Sequence, residues 1–379
     1  MRRSLVPQSA LATAGPGAAV GICAIASYRP AWSLDNAWYQ PKMPRKFAQH
    51  TGILARGIAE EDEVNLATRA IDRLCRAQGI RMTDCAGLVV VCPSLIPARV
   101  AHRYLPQAVA RREQPMRVAR AVAQQLRITP RRILGINSFC SGYARAMSLV
   151  LHTFHARRGL QADEFVLVVT ANRISRITDF GCPQAGALFG DLATATLIAR
   201  RDSGRYPVRF ELIDAHYRKQ PAPQAYFDFD LRRDVLIPTR SGGRTVEPER
   251  LVFRLDGMGI ADTAPRAMAD AAASLLAKNH VRPDQVEFVV PHQAGSGIVR
   301  FTQMKLEAAG ISAEVINGLT RDTGNVSSGS VPYALERHWT QLYGTILCPV
   351  AAVGAPGVAE VSQGCILLRG PSRPQSQAA

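Results

Sequence analysis

Ile133-Leu134-Gly135-Ile136-Asn137-Ser138-Phe139-Cys140-Ser141-Gly142 is an apolar, strand-like run that meets a small-residue turn, and an apolar helix-like stretch from Tyr143 to His155 follows it. Such a junction suits a nucleophile. A thiol at a helix N-terminus sees unpaired backbone N–H groups and the positive end of the dipole, and both lower its pKa. Taken singly, any of the eight cysteines in the chain reads as a buried, inert side chain.

Two later segments single out Cys140. Val289-Val290-Pro291-His292-Gln293-Ala294-Gly295 is an apolar strand ending in a histidine just before a new helix. Thr323-Gly324-Asn325-Val326-Ser327-Ser328-Gly329-Ser330-Val331-Pro332 is a small-residue loop with one amide side chain. A histidine after a strand is more often structural, and an asparagine among glycines and serines is usually a turn former. The succession Cys, His, Asn, each at the mouth of a strand or in a loop, points instead to one catalytic set.

On these residues the chain resembles the β-ketoacyl-acyl-carrier-protein synthase III group of the thiolase superfamily. Asn137 to Gly142 is similar to that family's nucleophile motif, Pro291-His292-Gln293-Ala294 to its histidine motif, and Gly324 to Pro332 to its asparagine motif. Thr51-Gly52-Ile53 with Arg56 resembles an early signature, and Ser175 to Asp179 with Leu188-Phe189-Gly190-Asp191 resembles the segment closing the first half. The resemblance runs from about Val20 to Gly370 with the motifs in family order.

An internal repeat supports the same fold. Asp84 to Cys92 and Asp284 to His292 each place an aspartate ahead of an apolar strand, and each follows an Ala-rich amphipathic helix, Val64 to Gln78 and Ala264 to Asn279. Gly190 to Ile198 and Gly364 to Leu368 then close the two halves with similar strands. Alternation of helices with continuous apolar strands implies mainly parallel sheets covered by helices. With the resemblance, this implies an α/β protein of duplicated thiolase-like fold, five-layered αβαβα. We expect a disordered extension at 1–18, an N-terminal half at 19–204 carrying Cys140, a C-terminal half at 205–370 carrying His292 and Asn325, and a disordered tail at 371–379.

A chain of 379 residues with 47% hydrophobic content can bury a sizeable core. No uninterrupted apolar run reaches the roughly 20 residues of a membrane span. Pro7, Gln8, Pro16 and Gly17 interrupt any signal-like stretch after Met1-Arg2-Arg3. The cysteines lack paired CxxC spacing, which points to reduced thiols in a cytoplasm and to no zinc site.

The resemblance implies that Cys140 stores an acyl group and that His292 and Asn325 stabilise the enolate of a decarboxylating malonyl thioester. It implies an oxyanion hole from the backbone N–H of Cys140 and one near Gly354 and Ala355, a homodimer, and no metal or prosthetic group. Arg45 to His50 departs from the family, which commonly has a tryptophan there that stacks on the adenine of coenzyme A; Lys46 and Phe47 stand near its place. Gly295 stands where an asparagine usually contacts the pantetheine arm, and Val353-Gly354-Ala355-Pro356-Gly357-Val358 replaces a triple glycine. That last loop has some likeness to type III polyketide synthases, against which Pro291 to Ala294 argues. The chain is also longer than the family pattern around His102 to Pro115. This insertion reads equally as a reshaped acyl pocket and as a solvated loop.

Lysine and arginine total 46 against 30 acidic residues, a net +16. Arg99, Arg103, Arg111 and Arg112 lie in an arginine-rich stretch that continues to Arg132. A basic rim would attract an acidic acyl carrier protein, the alternative being plain solvated surface. Nothing resembles a nucleic-acid-binding motif. The expected activity is therefore decarboxylative condensation on acyl-carrier-protein or coenzyme A thioesters. Acyl transfer to an alcohol or amine and a non-catalytic partner subunit are the rivals.

Overall fold

The structure is a computed structural model that describes residues 19–155 and 159–373. The first half contributes β1 (Val20–Tyr28), the short pair β2 (Ser33–Asp35) and β3 (Ala55–Gly57), then β4 (Cys85–Val91), β5 (Arg132–Ile136), β6 (Phe165–Asn172) and β7 (Leu192–Arg200). The second contributes β8 (Phe210–Pro221), the hairpin β9 (Phe227–Pro238) and β10 (Arg244–Leu255), then β11 (Val286–Val289), β12 (Glu314–Val315), β13 (Thr345–Val353) and β14 (Glu360–Arg369). Ten of these strands form one sheet in the order β12-β11-β13-β14-β8-β1-β7-β6-β4-β5. Read outward from the centre, β8-β14-β13-β11-β12 repeats the connectivity of β1-β7-β6-β4-β5. We propose that the halves divide in the connection between β7 and β8.

The main helices are α1 (Phe47–Thr51), α2 (Glu63–Gln78), α3 (Ala98–Tyr104), α4 (Gln107–Ala110), α5 (Pro115–Gln125), α6 (Gly142–Leu149), α7 (Gly257–Lys278), α8 (Ser296–Ala308) and α9 (Ser330–Arg337). α2 and α5 cover the first half's strands, and α7 covers β13 and β14 with α8 packed on it. α6 and α9 are sandwiched at the centre. α6 packs on β8 and β14 of the other half, α9 on β1 and β7, which gives the five layers of a thiolase-like fold. The central core joins Tyr143, Met147 and Val150 with Val331, Leu335, Val350 and Ile366.

Parallel pairing is confined to the outer three strands of each half, β6-β4-β5 and β13-β11-β12. The central strands run antiparallel, so the expectation of mainly parallel sheets is corrected to a mixed sheet. Apolar content did not distinguish the two, because strands covered on both faces are continuous apolar runs whichever way their neighbours point. The halves meet where Gly21 pairs with Glu211 and Ile22 with Phe210. A Cβ on Gly21 would come within 2.4 Å of the Phe210 carbonyl oxygen, so this crossing needs glycine.

The segment 1–18 and residues 374–379 of the expected tail lie outside the described residues. Pro371 accepts a hydrogen bond from the Gly344 amide (2.9 Å), and Arg373 lies over the Tyr343 ring.

The insertion around His102 to Pro115 packs Val100, Ala101 and Ala110 against Phe227, Phe229, Leu251 and Phe253 of the β9–β10 hairpin. Its far end is anchored by Glu113, which is buried, accepts two hydrogen bonds from the Arg176 guanidinium (2.5 and 2.8 Å) and caps the Ile96 amide (2.8 Å). An arm held in this way is structural framework rather than loose loop.

Asp191 closes the first half in a comparable manner. Its buried carboxylate accepts from the amides of Ala59 (2.7 Å) and Ser175 (3.0 Å) and from the Ser175 hydroxyl (2.5 Å). Asp191→Ala leaves two buried amides and a hydroxyl unpaired. The loss expected in chemical denaturation is about 3 kcal/mol or more, at roughly 1–3 kcal/mol for each unsatisfied group. A change under about 1 kcal/mol would show that these groups find other partners.

Candidate active site

Cys140 lies in the single helical turn Phe139–Ser141 between β5 and α6. The turn is set by its neighbours. Asn137 donates to the Leu95 carbonyl (2.8 Å) and accepts the Phe139 amide (3.2 Å), which holds Phe139 at φ +45°, a left-handed conformation rare for a bulky residue. Ser141 donates to Ser138 O and meets Ser362 Oγ of β14 at 2.8 Å, so the turn carrying Cys140 is pinned to the other half. Close packing fixes the start of α6, since a Cβ on Gly142 would lie 2.4 Å from Val91.

His292 follows β11. Its amide donates to Pro349 O of β13 (3.0 Å), and the side chain is 3% exposed. Nδ1 lies 2.6 Å from Ser330 Oγ at the start of α9. That hydroxyl also accepts the Gln293 amide (3.3 Å), and Nδ1 is its one acceptor among the described residues. A hydroxyl hydrogen directed at Nδ1 goes with the tautomer that carries its ring proton on Nε2.

Asn325 is held by main chain from the opposite half. Its amide donates to Leu188 O (2.8 Å), and its carbonyl accepts the Gly190 amide (3.1 Å). Gly324, at φ +67°, and Gly190 admit this approach, since a Cβ on Gly190 would stand 2.0 Å from Thr323 O. Asn325 Oδ1 accepts the Ser327 amide (2.9 Å), which leaves the Nδ2 hydrogens as its free polar handle. Ser327 Oγ in turn donates to Cys140 Sγ (3.4 Å).

Cys140, His292, Asn325 and Ser327 line one cavity of about 260 Å³, walled by Phe139, Phe189, Phe227, Phe253, Ile174 and Ile260. Its apolar walls govern the ionisation of the polar groups. Burial pushes the Cys140 thiol up to about 11, with the Ser327 hydrogen bond pulling the other way. Burial lowers His292 to about 4. The expectation of a depressed thiol is corrected to a raised one: α6 begins two residues after Cys140, and burial is the largest influence on the thiol.

Gly354 and Ala355 do not join the cavity of Cys140. They line a second cavity of about 310 Å³ with Pro356, Arg145, Tyr217 and Lys219, and Phe139 and Val353 border both spaces. The exposed Arg99, Arg103, Arg111 and Arg112 sit on α3 and in the turn after α4, whose flanks Pro97, Ala98 and Gln114 line that second cavity. Phe47, near the place of the family's adenine-stacking tryptophan, is buried among Leu34, Tyr39 and Phe180. Gly295 sits at φ +139° against Thr51, a conformation that side chains rarely adopt.

Ser327, Ser330 and the wall residues Phe139, Phe189, Phe227 and Phe253 had no assigned role in the sequence. The alternation Phe227-Asp228-Phe229-Asp230-Leu231 and the Gly242-Gly243 pair do signal a hairpin. Nothing in the order of residues says that it covers the site.

The duplicated sheet is a thiolase-like fold, and Cys140, His292 and Asn325 line one cavity within it. Residues 134–216 match the family described as 3-oxoacyl-[acyl-carrier-protein (ACP)] synthase III, and 276–354 match its C-terminal family. The β-ketoacyl-[acyl-carrier-protein] synthase III of Staphylococcus aureus is 24% identical over 328 residues, covering 84% of this chain and 89% of that one. The 3-oxoacyl-[acyl-carrier-protein] synthase III of Aquifex aeolicus superposes with a TM-score of 0.67 at 21% identity, covering 92% and 99% of the two chains. The priming β-ketosynthase of the R1128 polyketide pathway gives 0.65 at 20% identity, covering 94% and 98%. The chain is thus similar to β-ketoacyl-acyl-carrier-protein synthases III in the matched segments, and it shares their fold.

The ionisation of the two groups yields an expected pH dependence. Iodoacetamide labelling of Cys140, followed by peptide mapping, is expected to accelerate with pH up to about 11, because only the thiolate reacts. A plateau reached by pH 7 would reveal a depressed thiol and contradict this environment.

Proposed function

We propose that this protein forms a β-ketoacyl product by decarboxylative Claisen condensation, within fatty acid or polyketide-type biosynthesis. It belongs to the acyl-transferring condensing enzymes, and the finer assignment to synthase III-type chemistry is part of this proposal. The observation that carries it is the convergence of Cys140, His292 and Asn325 on one apolar cavity, with the hydrogen-bonding capacity of the last two aimed by fixed partners.

In the first step Cys140 sulfur attacks the carbonyl of an acyl thioester, and the donor thiol departs carrying the proton that the cysteine loses. The apolar walls suit a neutral, apolar acyl group. In the second step a malonyl thioester loses carbon dioxide, and the electrons of the broken bond pass into an enolate. Its oxygen needs donors already in position. His292 serves as a neutral Nε2–H donor, because burial keeps it uncharged above about pH 4 and Ser330 occupies Nδ1. Asn325 serves through Nδ2, its oxygen being engaged by Ser327. The enolate carbon then attacks the acyl carbonyl and the sulfur leaves. An oxyanion contact from Cys140 N–H remains part of this reading. The second contact assigned to Gly354 or Ala355 would require their loop to face the Cys140 cavity.

We further propose a cytoplasmic homodimer. β5 is an edge strand with no outer neighbour among the described residues, an open hydrogen-bonding edge for a second copy. The thioester donor is an acyl carrier protein met by Arg99, Arg103, Arg111 and Arg112, since buried Phe47 offers no face to an adenine.

Two experiments test these assignments. His292→Ala and Asn325→Ala are expected to remain acylated at Cys140 while malonyl decarboxylation falls by about 100- to 1000-fold, the usual cost of one lost oxyanion donor. Wild-type condensation by Asn325→Ala would favour simple acyl transfer. For the donor, kcat/KM is expected to be higher with acyl-carrier-protein substrates than with matching coenzyme A thioesters. That advantage should shrink as the screening length falls from about 10 Å at 0.1 M salt to about 3 Å at 1 M. Charge reversal at Arg111 and Arg112 should shrink it too, whereas equal efficiency at low salt would remove the carrier assignment.

A further inference from the structure

Ser327 stands out from its loop. It is 2% exposed, it holds φ +51° without being glycine, and it lines the cavity of Cys140. A non-glycine residue at positive φ in a buried loop persists only where its surroundings impose it, and such residues cluster at functional sites. Here the surroundings are specific. The amide of Ser327 is held by Asn325 Oδ1, and the left-handed turn brings its hydroxyl back onto Cys140 Sγ at 3.4 Å. The neighbouring Ser328 turns away to donate to Asn172.

The sulfur needs such a donor. The one side-chain hydrogen bond to Cys140 Sγ among the described residues comes from Ser327, while His292 Nδ1 is engaged by Ser330 Oγ. We propose that Ser327 is a further catalytic residue, donating its hydroxyl hydrogen to Cys140 Sγ whenever that sulfur carries negative charge. This rests on the assignment of Cys140 as the acyl acceptor.

Charge falls on the sulfur twice. During acylation the cysteine thiol loses its proton to the departing donor thiol as the new carbon–sulfur bond forms. During condensation the enolate carbon bonds to the acyl carbon, the carbon–sulfur bond breaks, and its electron pair leaves on Sγ, which solvent then protonates. Between these events the sulfur is a neutral thioester, and the hydroxyl has no charge to stabilise. Ser327 thus differs in timing from His292 and Asn325, whose proposed task is the enolate oxygen.

The test uses Ser327→Gly, which removes the hydroxyl and is at ease at positive φ, with Ser327→Ala as a second variant that keeps the Cβ. The pH profile of Cys140 alkylation by iodoacetamide is measured for each in the full-length protein, beside single-turnover acylation and condensation. Both variants are expected to shift the alkylation profile upward by about one pH unit, a roughly tenfold loss of thiolate at a fixed pH below the midpoint, and to slow both half-reactions. If the glycine variant does not fold, the alanine variant carries the same readout. A wild-type profile with wild-type acylation in a folded variant overturns the proposal. Alkylation requires no thioester substrate, so a wild type that alkylates normally but takes up no acyl group would refute the condensing reading while leaving the role of Ser327 measurable.

Discussion

Two backbone hydrogen bonds, Asn325 N–H to Leu188 O and Gly190 N–H to Asn325 O, set the geometry on which the site depends. They join a loop of the first half to a loop of the second at the point where the cavity forms. Beneath them the fully buried Arg56 donates to Leu34 O and Ala187 O and to the Asn36 side chain, and its Cβ lies 3.0 Å from the position a Cβ on Gly324 would occupy. A buried guanidinium is costly unless its donors are used; here the two terminal nitrogens are used and tie neighbouring segments together, while Nε has no partner among the described residues. A second tie, Ser141 to Ser362, fixes the turn of Cys140 against β14. The positions of Cys140 and Asn325 are thereby set by main chain and buried side chains.

Placing the site in an apolar cavity determines the character of its chemistry. Desolvation raises the thiol and lowers the imidazole, so the ground state is a neutral cysteine beside a neutral histidine rather than an ion pair. In such a medium each fixed N–H or O–H dipole counts for more than it would in water. This explains why each polar group at the site has a partner that fixes its direction: Ser330 for His292, the Ser327 amide for Asn325, and the Ser327 hydroxyl for Cys140. The two serines belong to α9 and the loop before it, so a single segment orients all three groups proposed for catalysis.

The strands around Cys140 and His292, the long helices and the pseudo-repeat were legible because continuous apolar runs and 3.6-residue periodicity are local properties. The motifs around Cys140, His292 and Asn325 stood out through their resemblance to those of a known family, and the structure brings the three residues to one cavity. What escaped depends on distant partners. The direction of the central strands is set by which strand lies beside which, and the thiol's elevated pKa is set by side chains more than a hundred residues away, such as Phe253 and His292. The insertion's role depended on Glu113 meeting Arg176, a contact that no local pattern encodes. Gly354 and Ala355 line a neighbouring cavity that shares Val353 and Phe139 with the cavity of Cys140, a placement that no local pattern encodes.

The central claim is that Cys140 carries the acyl group that condensation consumes. It is tested most directly by intact-mass analysis and peptide mapping after incubation with a panel of acyl thioesters, followed by addition of a malonyl thioester. The account predicts one acyl adduct on Cys140, discharged with release of carbon dioxide when the malonyl donor is added. An adduct on Cys92, Cys182 or Cys365 with Cys140 free, or a Cys140 adduct that the malonyl donor leaves in place, would contradict it.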